Sequence, residues 1–194
     1  PRLCSGEGLG CFGLTEPDAG SDAANLRTRA TKTENGWSIS GQKMWISLGN
    51  VSDFALIFAQ TDPEKKHRGL ACFLVETDTT GMRREEMPGV ELGHRASDHA
   101  HITFENCRIP VSALLGQPGE GFKIAMSALD RGRLGVAAGA VGIGQACLDA
   151  CVQWARKRRQ FGRRLGDFQM VQATIANMAA DIAAARLLVY HAAW

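Results

Sequence analysis

The chain has 194 residues, 45% of them hydrophobic and 22% charged, with a formal net charge of +2. That apolar content and balanced charge exclude a disordered chain, and the near-neutral total argues against a general nucleic-acid binder. No unbroken run of about 18 apolar residues occurs, so no membrane span is expected, and the start Pro1-Arg2-Leu3-Cys4 lacks the pattern of a signal peptide.

Up to about residue 115 the sequence alternates short apolar runs with turn signals. Strands are expected at 37–40, 43–47, 54–59, 70–75 and 100–104. Turns are expected at 34–36, 40–41, 61–63 and 87–89. Asn35-Gly36 suits a hairpin, because both residues tolerate positive φ. Short strands at this spacing predict an antiparallel β-sandwich or barrel rather than a parallel sheet with crossover helices.

After Gly116-Gln117-Pro118-Gly119 the pattern becomes helical. A proline-free helix of about 55 Å is predicted from Phe122 to Arg158. Gly132, Gly135, Gly139 and Gly142 fall on one stripe of it, each costing about 1 kcal/mol relative to alanine. Close approach of another helix backbone offsets that cost, with a ligand along the stripe as the alternative. Gln160-Phe161-Gly162 interrupts the pattern. A second helix then runs from Asp167 to the end, with Phe168, Val171, Ile175, Met178, Ile182, Ala185 and Val189 as a bundle seam. Two helices cannot bury both their faces alone, and both chain ends read as interior points of a longer protein. The expected architecture is an α+β multi-domain fragment, a β-sandwich or barrel followed by long antiparallel helices of an incomplete four-helix bundle.

Cys4, Cys11, Cys72, Cys107, Cys147 and Cys151 are scattered without zinc spacing, so free thiols and a reducing compartment are expected. His99 and His101 share a strand face without a nearby cysteine or paired acid, and no metal is expected. Arg156, Lys157, Arg158, Arg159, Arg163 and Arg164 read first as a solvated helix end whose cations favour the C-terminal dipole.

Two stretches carry candidate chemistry. In Leu14-Thr15-Glu16-Pro17-Asp18-Ala19-Gly20-Ser21-Asp22, a proline turn frees backbone amides beside two hydroxyls, a cradle for a polar ligand edge; an ordinary Pro-Asp turn accounts for the same residues. In Gly41-Gln42-Lys43-Met44-Trp45-Ile46-Ser47, strand periodicity puts Trp45 and Ser47 on one face, an aromatic plane beside a hydroxyl; a core tryptophan is the plainer alternative.

Together these stretches resemble the acyl-CoA dehydrogenase family, and the resemblance covers the whole chain. It takes in Leu92-Gly93-His94-Arg95-Ala96-Ser97-Asp98, Phe104-Glu105-Asn106-Cys107-Arg108-Ile109-Pro110, Gly119-Glu120-Gly121-Phe122, Leu129-Asp130-Arg131-Gly132-Arg133, Arg158-Arg159-Gln160-Phe161-Gly162 and Phe168-Gln169, in the family's order. It implies the family's middle β domain over 1–116 and the first helices of its C-terminal bundle over 117–194.

The resemblance implies FAD as cofactor. Phe12, Gly13, Leu14, Thr15 and Ser21 match its first flavin-contacting loop, with Thr15 at the isoalloxazine edge and Ser21 also at the substrate's pantetheine arm. Trp45, Ile46 and Ser47 match the flavin-packing segment; Ser47 stands where many members have threonine and keeps the hydroxyl. Asp130 and Arg133 match a pair that meets the CoA part of the substrate. Arg158, Phe161 and Gln169 match residues that reach the FAD of a neighbouring subunit, implying a homo-oligomer, a dimer or tetramer. The implied activity is α,β-dehydrogenation of acyl-CoA thioesters in fatty acid β-oxidation, with electrons passed to an electron-transfer flavoprotein. The same fold also admits an acyl-CoA oxidase, a flavin monooxygenase or an inactive binding subunit. The implied compartment is bacterial cytoplasm or mitochondrial matrix. A minority of the family carries the catalytic glutamate at the position matched by Gly132, which has no carboxylate. The base is therefore expected beyond Trp194, and no catalytic residue is assigned within the chain.

Overall fold

The structure, a computed structural model, describes residues 2–89, 92–93 and 96–194. The chain forms two compact units, Pro1–Ser127 and Ala128–Trp194.

The first unit opens with a single helical turn, α1 (Arg2–Ser5), and continues through β1 (Gly10–Gly13), β2 (Arg29–Thr33), β3 (Gly36–Ser47), β4 (Phe54–Gln60), β5 (Leu70–Glu76), β6 (Met82–Glu86), β7 (His99–Pro110) and β8 (Leu114–Leu115). The strands form one sheet in the order β6-β7-β3-β2-β4-β5-β8, with β1 beside β4. Most pairings are antiparallel, as the short-strand pattern predicts. Two are parallel: β1 along β4, and a single register pair, Arg29 with Gln60, between β2 and β4. Alternate residues of β3, β4, β5 and β7, including Ile39, Ile57, Phe73 and Ile102, meet in one core. Met82 from one end of the strand order and Leu114 from the other pack against that same core. The sheet therefore curls around a single interior.

The β2–β3 hairpin forms where Asn35-Gly36 predicts it, but Gly36 serves a different purpose. The loop residues are Glu34 and Asn35, and Gly36 is the first residue of β3, paired with Thr33. A Cβ on Gly36 would lie 2.0 Å from the Ile109 carbonyl oxygen, so glycine lets β7 approach. The expected strands 37–40 and 43–47 are one continuous strand, broken only in register. A second helix, α2 (Gly121–Lys157), starts on β5, where a Cβ on Gly121 would lie 2.6 Å from the Ala71 backbone.

The second unit holds the rest of α2, a tight hairpin of β9 (Arg159–Gln160) and β10 (Arg163–Arg164), and α3 (Gln169–Ala193). Phe161 and Gly162 turn the hairpin with φ of 50° and 76°, as a two-residue loop with the strands' twist requires. The predicted seam of α3 is its half-buried face, from Val171 through Ile175, Met178, Ile182 and Ala185 to Val189. It meets α2 at Gly144, whose ideal Cβ lies 3.4 Å from Ile182, and at Gln145, which accepts a 2.8 Å bond from Arg186. The stripe of Gly132, Gly135, Gly139 and Gly142 faces elsewhere. Among the described residues nothing comes within 4 Å of a Cβ placed there.

Candidate functional site

Lys43 lies opposite Ile102 in the β3–β7 ladder and is fully buried. Strict alternation from an inward Lys43 would turn Trp45 and Ser47 inward as well. The register shifts between Lys43 and Ile46, and this bulge reverses the outcome. Ile46 is 1% exposed and joins the core, while Trp45 is 59% exposed and Ser47 also faces out. Trp45 takes a φ of 61°, a strained value for a bulky residue, and its amide donates to Met87 Sδ at 3.3 Å. The core-tryptophan alternative is thereby excluded. His99 joins the two exposed side chains: its ring stands edge-on to Trp45 at 6.2 Å, and its Nε2 lies 3.2 Å from Ser47 Oγ.

The other stretch runs alongside. Phe12 is half-buried against Phe58, Gly13 and Leu14 are buried, and Thr15 is half-buried. The Met44 amide donates to the Thr15 carbonyl at 2.9 Å, tying this loop to the residue before Trp45. Lys43 Nζ donates to the Leu14 carbonyl at 3.1 Å and to Glu16 Oε1 at 2.8 Å. The Glu16 carboxylate also accepts from the amides of Arg27, at 2.6 Å, and Thr28, at 3.0 Å. Burial pushes the Lys43 pKa down to about 8 against the pull of Glu16. Burial alone would raise Glu16, but the Lys43 charge and the bonds from Lys43, Arg27 and Thr28 outweigh it and hold the carboxyl below its ordinary value. Ser21 follows on the exposed side of the loop. Among the described residues, the Thr15 and Ser21 hydroxyls bond no protein group.

In the second unit, Asp130 and Arg133 are exposed on α2. Arg158 ends that helix, with its amide on the Trp154 carbonyl and its carbonyl accepting from Leu165. Phe161 is exposed at the hairpin tip, its ring 6.5 Å from Phe168, and Gln169 is the first residue of α3. His94 and Arg95 lie outside the described residues. Glu16 is fully engaged in holding backbone, and Glu120 accepts from the Gln117 amide at 2.9 Å in its own turn, so neither is poised as a base.

The fold and site define a β domain that presents an aromatic plane and hydroxyls on one surface, followed by the opening hairpin of a helical bundle. Residues 11–107 match the sequence profile "Acyl-CoA dehydrogenase, middle domain", and residues 119–194 match "Acyl-CoA dehydrogenase, C-terminal domain". The chain belongs to the acyl-CoA dehydrogenase family. It is 44% identical, over its whole length, to the mitochondrial short/branched chain specific acyl-CoA dehydrogenase of Rattus norvegicus, of which it covers 44%. Among solved structures, it superposes on butyryl-CoA dehydrogenase from Megasphaera elsdenii with a TM-score of 0.94 at 40% identity, covering 98% of this chain and 50% of that one. A glutaryl-CoA dehydrogenase from Mycobacterium smegmatis in complex with FADH2 matches with a TM-score of 0.90 at 39% identity, over 98% of this chain and 48% of that one. The chain thus spans about half the length of the curated relatives it matches.

Although no unbroken apolar run exists, α2 and α3 each contain an 18-residue window apolar enough to cross a membrane, with mean hydropathy of 1.5 and 1.2. The C-terminal-domain match over 119–194 accounts for that apolar surface as faces of a helical bundle.

Proposed function

We propose that the full-length protein is an FAD-dependent acyl-CoA dehydrogenase that introduces an α,β double bond into acyl-CoA thioesters and passes the electrons to an electron-transfer flavoprotein. The observation that carries this reading is the outward-turned Trp45 beside Ser47 and His99, held at a strained φ next to the loop of Thr15. An exposed aromatic plane bordered by hydroxyls fits a flat heteroaromatic ring with a polar edge, and the FADH2 complex of the Mycobacterium smegmatis relative supports FAD as that group. When bound, FAD supplies the acceptor for the hydride that leaves the substrate β-carbon.

This chain's own part is to bind and orient. Trp45 covers the ring face, and the hydroxyls of Thr15 and Ser47 donate to its edge, with Phe12, Gly13, Leu14 and Ile46 shaping the wall. Ser21 bonds the pantetheine arm, and Asp130 and Arg133 meet the CoA part. Arg158, Phe161 and Gln169 reach the FAD of a neighbouring subunit in a homodimer or homotetramer, where a guanidinium fork suits pyrophosphate oxygens. The glutamate that removes the α-proton lies outside these residues. Domain limits of 1–116 and 117–194 go with this reading, as does a mitochondrial or bacterial cytoplasmic location, since the relatives include both mitochondrial and bacterial proteins.

The test is the visible spectrum of the full-length protein, recorded before and after a panel of acyl-CoAs is added without oxygen. Bleaching of the flavin band with new long-wavelength absorbance is expected, and the fastest thioester identifies the acyl class. A bound flavin that no thioester bleaches would overturn the dehydrogenase reading. A folded full-length protein without flavin would overturn the cofactor assignment.

A further inference from the structure

Lys43 and Glu16 are fully or almost fully buried, at 0% and 5% exposure. A buried ion pair is a weak source of stability, because an apolar pair of similar volume is commonly neutral or better. Its bonds here converge on one tripeptide. Lys43 Nζ holds the Leu14 carbonyl on one side of Thr15 and the Glu16 carboxylate on the other. Glu16 is in turn fastened to the backbone of Arg27 and Thr28, and Thr28 Oγ1 donates to the Gln42 carbonyl at 3.2 Å, one residue before Lys43. The Thr15 carbonyl is taken by Met44. Both neighbours of Thr15 and its own carbonyl are therefore fixed, while its hydroxyl bonds no described protein group.

We propose that Lys43 and Glu16 are positioning residues for the cofactor: the pair locks the Leu14–Glu16 segment so that the Thr15 hydroxyl is presented to the flavin edge. This rests on the assignment of the flavin to the Trp45–Ser47 surface. The pair touches neither substrate nor flavin and acts through the loop. Its value is preorganisation, since a hydroxyl already held in place loses less freedom when the ligand arrives.

The experiment uses the full-length protein with the double variant Lys43→Met plus Glu16→Gln. That variant removes both charges and keeps one side-chain oxygen where the carboxylate uses two, one for the Arg27 amide and one for the Thr28 amide. The expected result is a protein that still unfolds cooperatively, with an FAD dissociation constant raised tenfold or more. Amide exchange across residues 13–19 is expected to be faster in the apoprotein, a change that a merely space-filling pair would not produce. If the double variant folds poorly, Lys43→Met alone, which leaves the Glu16 carboxylate both its backbone amides, is read by FAD affinity and amide exchange. Parent-like FAD affinity and exchange protection in these variants would overturn the proposal. Thr15→Val, measured in parallel, separates the two assignments. If it weakens FAD binding while the charge variants do not, the clamp alone fails. If it leaves FAD binding unchanged, the flavin assignment fails and the clamp with it.

Discussion

A lysine buried against one carboxylate makes stability depend on pH in an unusual direction. The ordinary Lys43 value of 10.5 falls to about 8 in the folded protein. Below pH 8 the side chain is charged in both folded and unfolded states, and the native state carries the full desolvation cost. Between pH 8 and 10.5 the unfolded chain keeps the proton and the folded chain releases it, so stability rises with pH at about 1.4 kcal/mol per unit. The whole interval is worth about 3 kcal/mol. A lysine whose partner raises its pKa would lose stability as pH climbs through its folded value. Glu16 acts in the acid range: its lowered pKa stabilises the fold above the unfolded carboxyl value, and that stability is lost as pH falls through the folded one. The assay is the urea midpoint of the parent and of the Lys43→Met, Glu16→Gln double variant, from pH 7 to 10.5. All other side chains are common to both proteins and cancel in the difference. The parent is expected to gain relative to the variant across this range. Parallel curves would refute the reasoning, because they would mean that Lys43 titrates as though solvated.

Trp45→Ala removes an exposed ring, so the apoprotein is expected to keep its stability to within about 1 kcal/mol while FAD affinity falls about tenfold. Fluorescence titration with FAD beside an apoprotein melt checks both halves, and a large fall in apoprotein stability would contradict the outward placement. Gly139→Ala should gain about 1 kcal/mol if the stripe on α2 faces water, and lose stability if another backbone lies on it. Loss is expected in the full-length protein, and its thermal midpoint decides. Burial pushes the thiols of Cys72 to about 12 and Cys107 to about 11, and raises Cys11 as well. Mass-spectrometric labelling at pH 8 is expected to modify exposed Cys4 in the native protein, and these three only after denaturation. Native labelling of Cys72 would count against its placement in the core.

The strands that the sequence revealed are those that bury apolar side chains. β4 and β5 read as Phe54-Ala55-Leu56-Ile57-Phe58 and Leu70-Ala71-Cys72-Phe73-Leu74, and both are largely buried. β6, with Arg83, Arg84, Glu85 and Glu86, ends the strand order and has no apolar alternation to detect. β2 is nearly all polar, and β1 has only four residues, two of them glycine. In the site, Thr15, Trp45 and Ser47 stand out as residue types, but the bulge that turns Trp45 outward leaves no mark in a one-dimensional pattern. Nothing in the sequence around His99 marks it as part of this site, because its place beside Ser47 depends on a register set 52 residues away. Lys43 in a strand looks like a solvated residue, and only three-dimensional closure shows that it has none of the solvent it would need. The helical seam was legible because α3 needs only its own periodicity to declare a face.

The parallel pairing of β1 with β4 has a consequence for how the protein acquires its shape. Leu9, just before β1, bonds Asp53, 44 residues further along the chain. The Thr15 loop is then fastened through Glu16 to Lys43, 27 residues away. Such contacts close long loops, and their entropy must be lost before any bond rewards it. Hairpins such as β2–β3 and β4–β5 carry no such burden. The surface assigned to the flavin also needs the β3–β7 ladder, in which Ser47 meets His99 52 residues further on, so a refolding chain regains its capacity to capture a cofactor only once its long-range strand pairs have closed.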